Sequence, residues 1–236
     1  MAIPGTVLAS SAFALLGALL YAAVGRRVSL RGASHLPLRL FGLFWLGMAA
    51  YALLDASWAL AVAAWDVPLA ASLVVLHLKI AAAVAAFGGL VAYLLAIYTG
   101  RERVTWVVLA AYLGLFVLVT YFYVWRGPVG QHVTTWGASL DYARPGGLFQ
   151  QAVVVLLFVP PAASAVAYAL LLRVVEEREA RRRVLATSSA LAVLFAGLTL
   201  GWLDGKWPWW GLAEKVLAVS AALVVLWTLR EPARAA

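Results

Sequence analysis

The sequence contains no cysteine, which excludes disulfides, thiolate metal sites and a cysteine nucleophile together. Charge is scarce as well, at 12% of 236 residues, roughly half of the ~25% usual in soluble domains. There are three histidines, His35, His77 and His132, too far apart to spell a three-ligand metal site, so neither metal nor cofactor is expected. No serine sits in a nucleophile-elbow context, and catalysis is not the expected activity. No basic segment precedes the first apolar run, MAIPGTVLASSAFALL, so that run is expected to be retained rather than cleaved as a signal peptide.

What the chain has instead is apolar residues, 65% of the total, with a mean hydropathy of +0.95. No soluble core holds that many, so an integral membrane protein with the bilayer as its first partner is expected. Apolar spans of helix length fall at about 5–24, 40–64, 69–98, 104–125, 148–172, 185–203 and 208–229. They lack the period-two alternation of barrel strands, and lipid leaves backbone groups no water, so the expected fold is an all-α bundle of seven transmembrane helices in a single domain.

The basic residues set its orientation. Thirteen of the 18 lie on one side: Arg26, Arg27, Arg31 and Arg39 after span 1, Arg101 and Arg103 after span 3, Arg173, Arg178, Arg181, Arg182 and Arg183 after span 5, and Arg230 and Arg234 after span 7. The positive-inside rule makes that side cytoplasmic, with the amino terminus outside and the carboxyl terminus inside. The net charge of +8 then reports insertion topology, and nucleic acid is not an expected partner. Tryptophan is skewed the opposite way, with eight residues toward the outer surface and three toward the inner.

Asp204 to Arg230 is the stretch on which a functional reading turns. It places an adjacent Glu214-Lys215 pair in an apolar span entered through Trp207-Pro208-Trp209-Trp210. Ionisable residues at such depth mark a pathway, a relay or a ligand site, unless they snorkel to the headgroups. Asp55 in span 2 and Lys79 in span 3 lie at similar depth, roughly 15 to 20 Å from the Asp66-Val67-Pro68 turn, and are expected to pair. Adjacent helical residues point about 100° apart, so Glu214 and Lys215 are expected to seek partners on other helices, Lys79 for the first or Asp55 for the second. The four charges sum to zero. They outline a ligand pocket completed by His77, Gln150, Gln151, Tyr51 and Asp204, or else an ion network that only fixes helix register.

Other features are less specific. Pro160-Pro161 in span 5 removes two backbone donors and is a hinge candidate. Gly197-Leu-Thr-Leu-Gly201 is a GxxxG sequence, suited to close helix contact or a homodimer face. Glu176 to Arg183, EEREARRR, reads as a solvated extension of span 5, and the Arg173–Arg183 loop as a docking point for a cytoplasmic partner. Arg126 to Gly147 reads as a hairpin or cap, with Gly137-Ala138-Ser139 as its turn.

FGLFWLGMAAYALLDASWAL (Phe41 to Leu60), AIYTGRERVTW (Ala96 to Trp106), the long outer loop and the arginine-rich inner loop resemble the seven-helix extracytoplasmic-sensing region at the amino terminus of bacterial histidine kinases and diguanylate cyclases. That resemblance implies a non-enzymatic sensor in a prokaryotic plasma membrane, binding a small or lipidic ligand. The family's catalytic domain follows its last span, whereas this sequence runs out through REPARAA, so a stand-alone sensor or a fragment acting through a partner is implied. A second resemblance is to microbial rhodopsins, in which a lysine of the last helix binds retinal; Lys215 would be that lysine and Asp55 its counterion, although span 3 offers Leu76-His77-Leu78-Lys79 in place of the expected acid and arginine. A transporter and an intramembrane enzyme are the remaining alternatives.

Overall fold

The computed structural model describes residues 3–31, 35–125, 128–142, 148–202 and 209–229, with side chains except at 120, 122–125, 148–150, 153–154 and 201–202. Among the described residues seven α-helices run in order: α1 Gly5–Arg31, α2 Leu36–Ala64, α3 Leu69–Thr99, α4 Glu102–Trp125, α5 Leu148–Leu171, α6 Arg178–Trp202 and α7 Trp210–Thr228. A hairpin of β1, Pro128–Val133, and β2, Ala138–Tyr142, separates α4 from α5. Among the described residues six helices are long and apolar enough to cross a membrane, and in α5 the described apolar stretch is Val155–Leu171.

Several helices outrun the spans read from hydropathy. α1 continues from residue 24 to Arg31, α2 starts at Leu36 rather than 40, and α6 starts at Arg178 rather than 185. Hydropathy marks the apolar part of a helix, whereas backbone hydrogen bonding carries on through arginines until a turn stops it. For the same reason Glu176 to Arg183 does not extend span 5. α5 ends at Leu171, the chain turns over 172–174, and Arg178–Arg183 open α6. α3 stops at Gly100, whose φ of 59° takes the left-handed conformation while its N–H bonds the Ala96 carbonyl.

The helices form a closed ring. α1 packs on α2 and α7, α2 on α3, α3 on α5, α5 on α6, and α6 on α7, while α4 lies outside against α3 and α5. Close approach of α2 and α3 depends on glycine: a Cβ at Gly47 would stand 2.7 Å from the Ala86 backbone nitrogen, and one at Gly89 2.9 Å from the Leu40 carbonyl. Gly197 does the same between α6 and α7, where a Cβ would meet the Glu214 carbonyl at 3.3 Å. That half of the GxxxG sequence is therefore used within the chain. The buried core runs through Tyr21, Phe41, Phe44, Trp45, Phe87 and Tyr93.

α5 runs through both prolines. Pro160 cannot donate to the Leu156 carbonyl one turn back, and Tyr112 of α4 supplies a hydroxyl to it at 3.0 Å. The gap left by the proline is thus filled from a neighbouring helix.

Candidate functional site

Asp55 sits nine residues before the end of α2, Lys79 ten residues into α3, and Lys215 five residues into α7, so three helices deliver charges to one level of the ring. Lys79 Nζ donates to Asp55 Oδ1 at 2.5 Å, and Lys215 Nζ donates to Asp55 Oδ2 at 3.1 Å. Lys215 also reaches its neighbour Glu214 Oε1 at 3.3 Å. Lys215 therefore meets the expected partner Asp55 on another helix, and its longer contact to Glu214 adds a bond within the adjacent pair. Lysine has four rotatable side-chain bonds, so its ammonium can bend back across the ~100° between neighbouring Cβ directions. With side chains between 11% and 24% exposed, the network is neither sealed nor snorkelled to the surface.

The two lysines have different surroundings. Lys79 is caged: its ammonium stands 4.9 Å from the centre of the Trp58 ring and 5.2 Å from that of Tyr51. Trp58 is fixed in turn by its indole N–H donating to buried Ser72 at 3.0 Å. Tyr51, Asp55 and Trp58 are spaced four and three apart and share a face of α2, while Ser72 and Lys79 are two turns apart on α3. That spacing is visible in the sequence, although charge alone did not single out Trp58 or Ser72.

Lys215, Asp55 and Glu214 instead line open space. A cavity of about 310 Å³ has these three as its floor and Thr134, Trp136, Gly137 and Ala138 as its roof. The roof is the hairpin loop. Its turn spans 134–137, closed by Thr134 N–H donating to the Gly137 carbonyl at 2.9 Å, so Ala138 and Ser139, expected in the turn, belong to β2. A type of turn is set by backbone hydrogen bonding, which composition only suggests. The hairpin is seated by Gln131, whose amide donates to the Val67 carbonyl at 2.5 Å, and by Trp136, whose ring lies 5.6 Å from that of Trp209.

A narrower space of about 40 Å³ continues from the same Asp55, Glu214 and Lys215 down to Tyr21, between Gly17 and Leu194. That is room for a water or a small polar group. Two donors lining these spaces are buried without a hydrogen-bond partner among the described residues: the Tyr21 hydroxyl at the deep end and the Trp136 indole at the roof. Neither stood out in the sequence, because a tyrosine or tryptophan in an apolar run looks the same whether or not its polar atom is satisfied.

Of the other residues assigned to the pocket, His77 is not brought to it. It lies two positions from Lys79, on the opposite side of α3, and its ring bonds the Leu73 carbonyl of its own helix at 2.6 Å. Gln151 is exposed on α5 and lines neither space. The Gln150 side chain and Asp204 lie outside the described residues. Among the described residues no group of three metal-binding side chains occurs. No protein-family model and no curated protein matches the chain.

Proposed function

We propose that the chain is a seven-helix protein of a prokaryotic plasma membrane, with its amino terminus outside, that binds a small molecule beneath the hairpin and acts as a non-enzymatic, receptor-like sensor. The observation that carries this reading is the 310 Å³ cavity with an ionic floor and a hairpin roof, which is within the range of small-molecule sites. The network is charge-balanced, so a ligand with a net charge would be poorly compensated there. Spare donors at Tyr21 and Trp136, with apolar walls from Ala59, Leu157 and Phe158, favour an uncharged or zwitterionic molecule that carries acceptor groups.

α7 is the element suited to pass binding on. It carries Glu214 and Lys215 at one end, and at the other Trp227, over which the Arg182 guanidinium stacks at 4.2 Å. A shift of α7 would disturb the arginine-rich start of α6, where a cytoplasmic partner would dock. Among the described residues α5 adds no charged side chain to the ion pairs around Asp55, so a hinge at its prolines is the less supported route. Signalling by this path requires that the ligand bind one of two arrangements more tightly than the other.

Mass spectrometry of the gently purified protein tests the reading. A specific small molecule should copurify and be lost from Asp55→Asn and Lys215→Met. An empty protein whose variants merely melt earlier would leave the network a structural device and end the receptor reading. The Lys215 to Asp55 contact of 3.1 Å also keeps a retinal-binding protein as a second reading. A red-shifted absorption band on adding retinal would replace the first reading with that one.

A further inference from the structure

Two separate cavities are walled by the same four helices. The space beneath the hairpin narrows among Tyr21 of α1, Met48 of α2, Leu194 of α6 and Ala218 of α7. At the opposite end of the bundle a cavity of about 320 Å³ reaches from Arg31, the last residue of α1, to Val28, Phe41, Thr187 and Val225 of those same helices. Tyr21 and Val28, Phe41 and Met48, Thr187 and Leu194, and Ala218 and Val225 are each seven residues apart. Seven residues are nearly two full turns, so the members of each pair share a helix face and stand ~10 Å apart along the axis. The two cavities are therefore in line.

Between the members of each pair, three residues from one and four from the other, fall Val24, Trp45, Leu191 and Ala222. Residues at those intervals lie on the same helix face as the pair they divide. All four are fully buried, at 0% exposure, and belong to one apolar cluster. They are the layer that these helices place between the cavities, one side chain from each. Ala222 brings only a methyl group, so closure rests on the other three. The polar atoms here do not fit a layer that only packs: the Tyr21 hydroxyl on the hairpin side and the Trp45 indole N–H are both buried without a hydrogen-bond partner among the described residues. An unmet buried donor is a standing cost, and a static core gains nothing from two of them.

We infer that Val24, Trp45, Leu191 and Ala222 form a gate, and that the chain passes a small uncharged or zwitterionic molecule from the cavity beneath the hairpin to the cavity at the opposite end. The path begins at the ligand site proposed above and takes its substrate class from that reading. Acceptor groups on the molecule meet the Tyr21 and Trp45 donors on the way through. A hydrophobic constriction one side chain deep is enough to stop leakage while the gate is closed. Passage requires a second arrangement in which these side chains part.

Cysteine accessibility tests the gate, and the chain brings no cysteine of its own. Right-side-out and inside-out membrane vesicles carrying single-cysteine variants of the full chain are treated with a small membrane-impermeant methanethiosulfonate. Ala218→Cys, in the narrow space on the hairpin side, should label fast from the hairpin face. Ala222→Cys, in the gate, should label from both faces, about tenfold more slowly. Adding Leu191→Ala to Ala222→Cys removes part of the closure and should quicken both rates about tenfold. Ala92→Cys, equally buried but on α3 and in neither lining, should stay unlabelled. Labelling of Ala222→Cys from one face only would overturn the path, as would equal labelling of Ala92→Cys, which would report general loosening of the bundle. A copurified ligand together with one-sided labelling of Ala222→Cys would keep the receptor and remove the path. An empty protein labelled at Ala222→Cys from both faces would keep the gate and end the ligand reading.

Discussion

At the scale of single residues, Asp55 is the group on which the others depend, since it bonds both lysines, one on each carboxylate oxygen. Removing one partner of a buried pair leaves an uncompensated charge, which costs about 3 to 5 kcal/mol, whereas a lysine that loses one of two acceptors loses less. Asp55→Asn should therefore destabilise the protein by about 3 kcal/mol, and Lys79→Met by clearly less, because Asp55 then keeps Lys215. Chemical unfolding in detergent micelles, with the double variant included, measures both values and their coupling. Equal losses for the two single variants would mean that Asp55 is not the hub. Glu214, which shares Lys215, does not replace it, being bonded at the longer distance.

At the scale of elements, close packing and backbone satisfaction decide where substitutions are tolerated. Gly47→Ala forces a methyl group against the α3 backbone, and overpacking of that kind costs about 1 to 3 kcal/mol. Gly114→Ala in α4 meets nothing within 4 Å and should be neutral or gain up to ~1 kcal/mol from helix propensity. Melting temperatures of the pair separate contact from propensity. A second comparison concerns α5. Tyr112→Phe strips the Leu156 carbonyl of its donor and should cost about 1 to 2 kcal/mol, but much less in a Pro160→Ala background, where the helix supplies its own N–H. Strictly additive costs would show that the Tyr112 bond does not compensate the proline.

At the scale of the whole molecule, orientation is open to a direct measurement because the chain has no cysteine of its own. In intact cells a membrane-impermeant maleimide should label Val129→Cys in the hairpin, and should label Arg178→Cys at the start of α6 only after permeabilisation. The reverse pattern would invert the protein and place the ionic cavity on the cytoplasmic face.

The composition and order of residues were enough to mark a mainly helical chain with helices long and apolar enough to cross a membrane, and to single out Asp55, Lys79, Glu214 and Lys215, because isolated charges in apolar runs stand out in one dimension. His77 shows where one dimension misleads: two positions from Lys79 is close in sequence and opposite on a helix. Which lysine lines open space and which is caged by Trp58 and Tyr51, where the hairpin closes, and which buried donors go unmet were decided only by how the helices pack. The physical reason is one of range. Hydropathy and periodicity are summed along the chain, whereas a cavity is the space left over where several distant segments fail to touch.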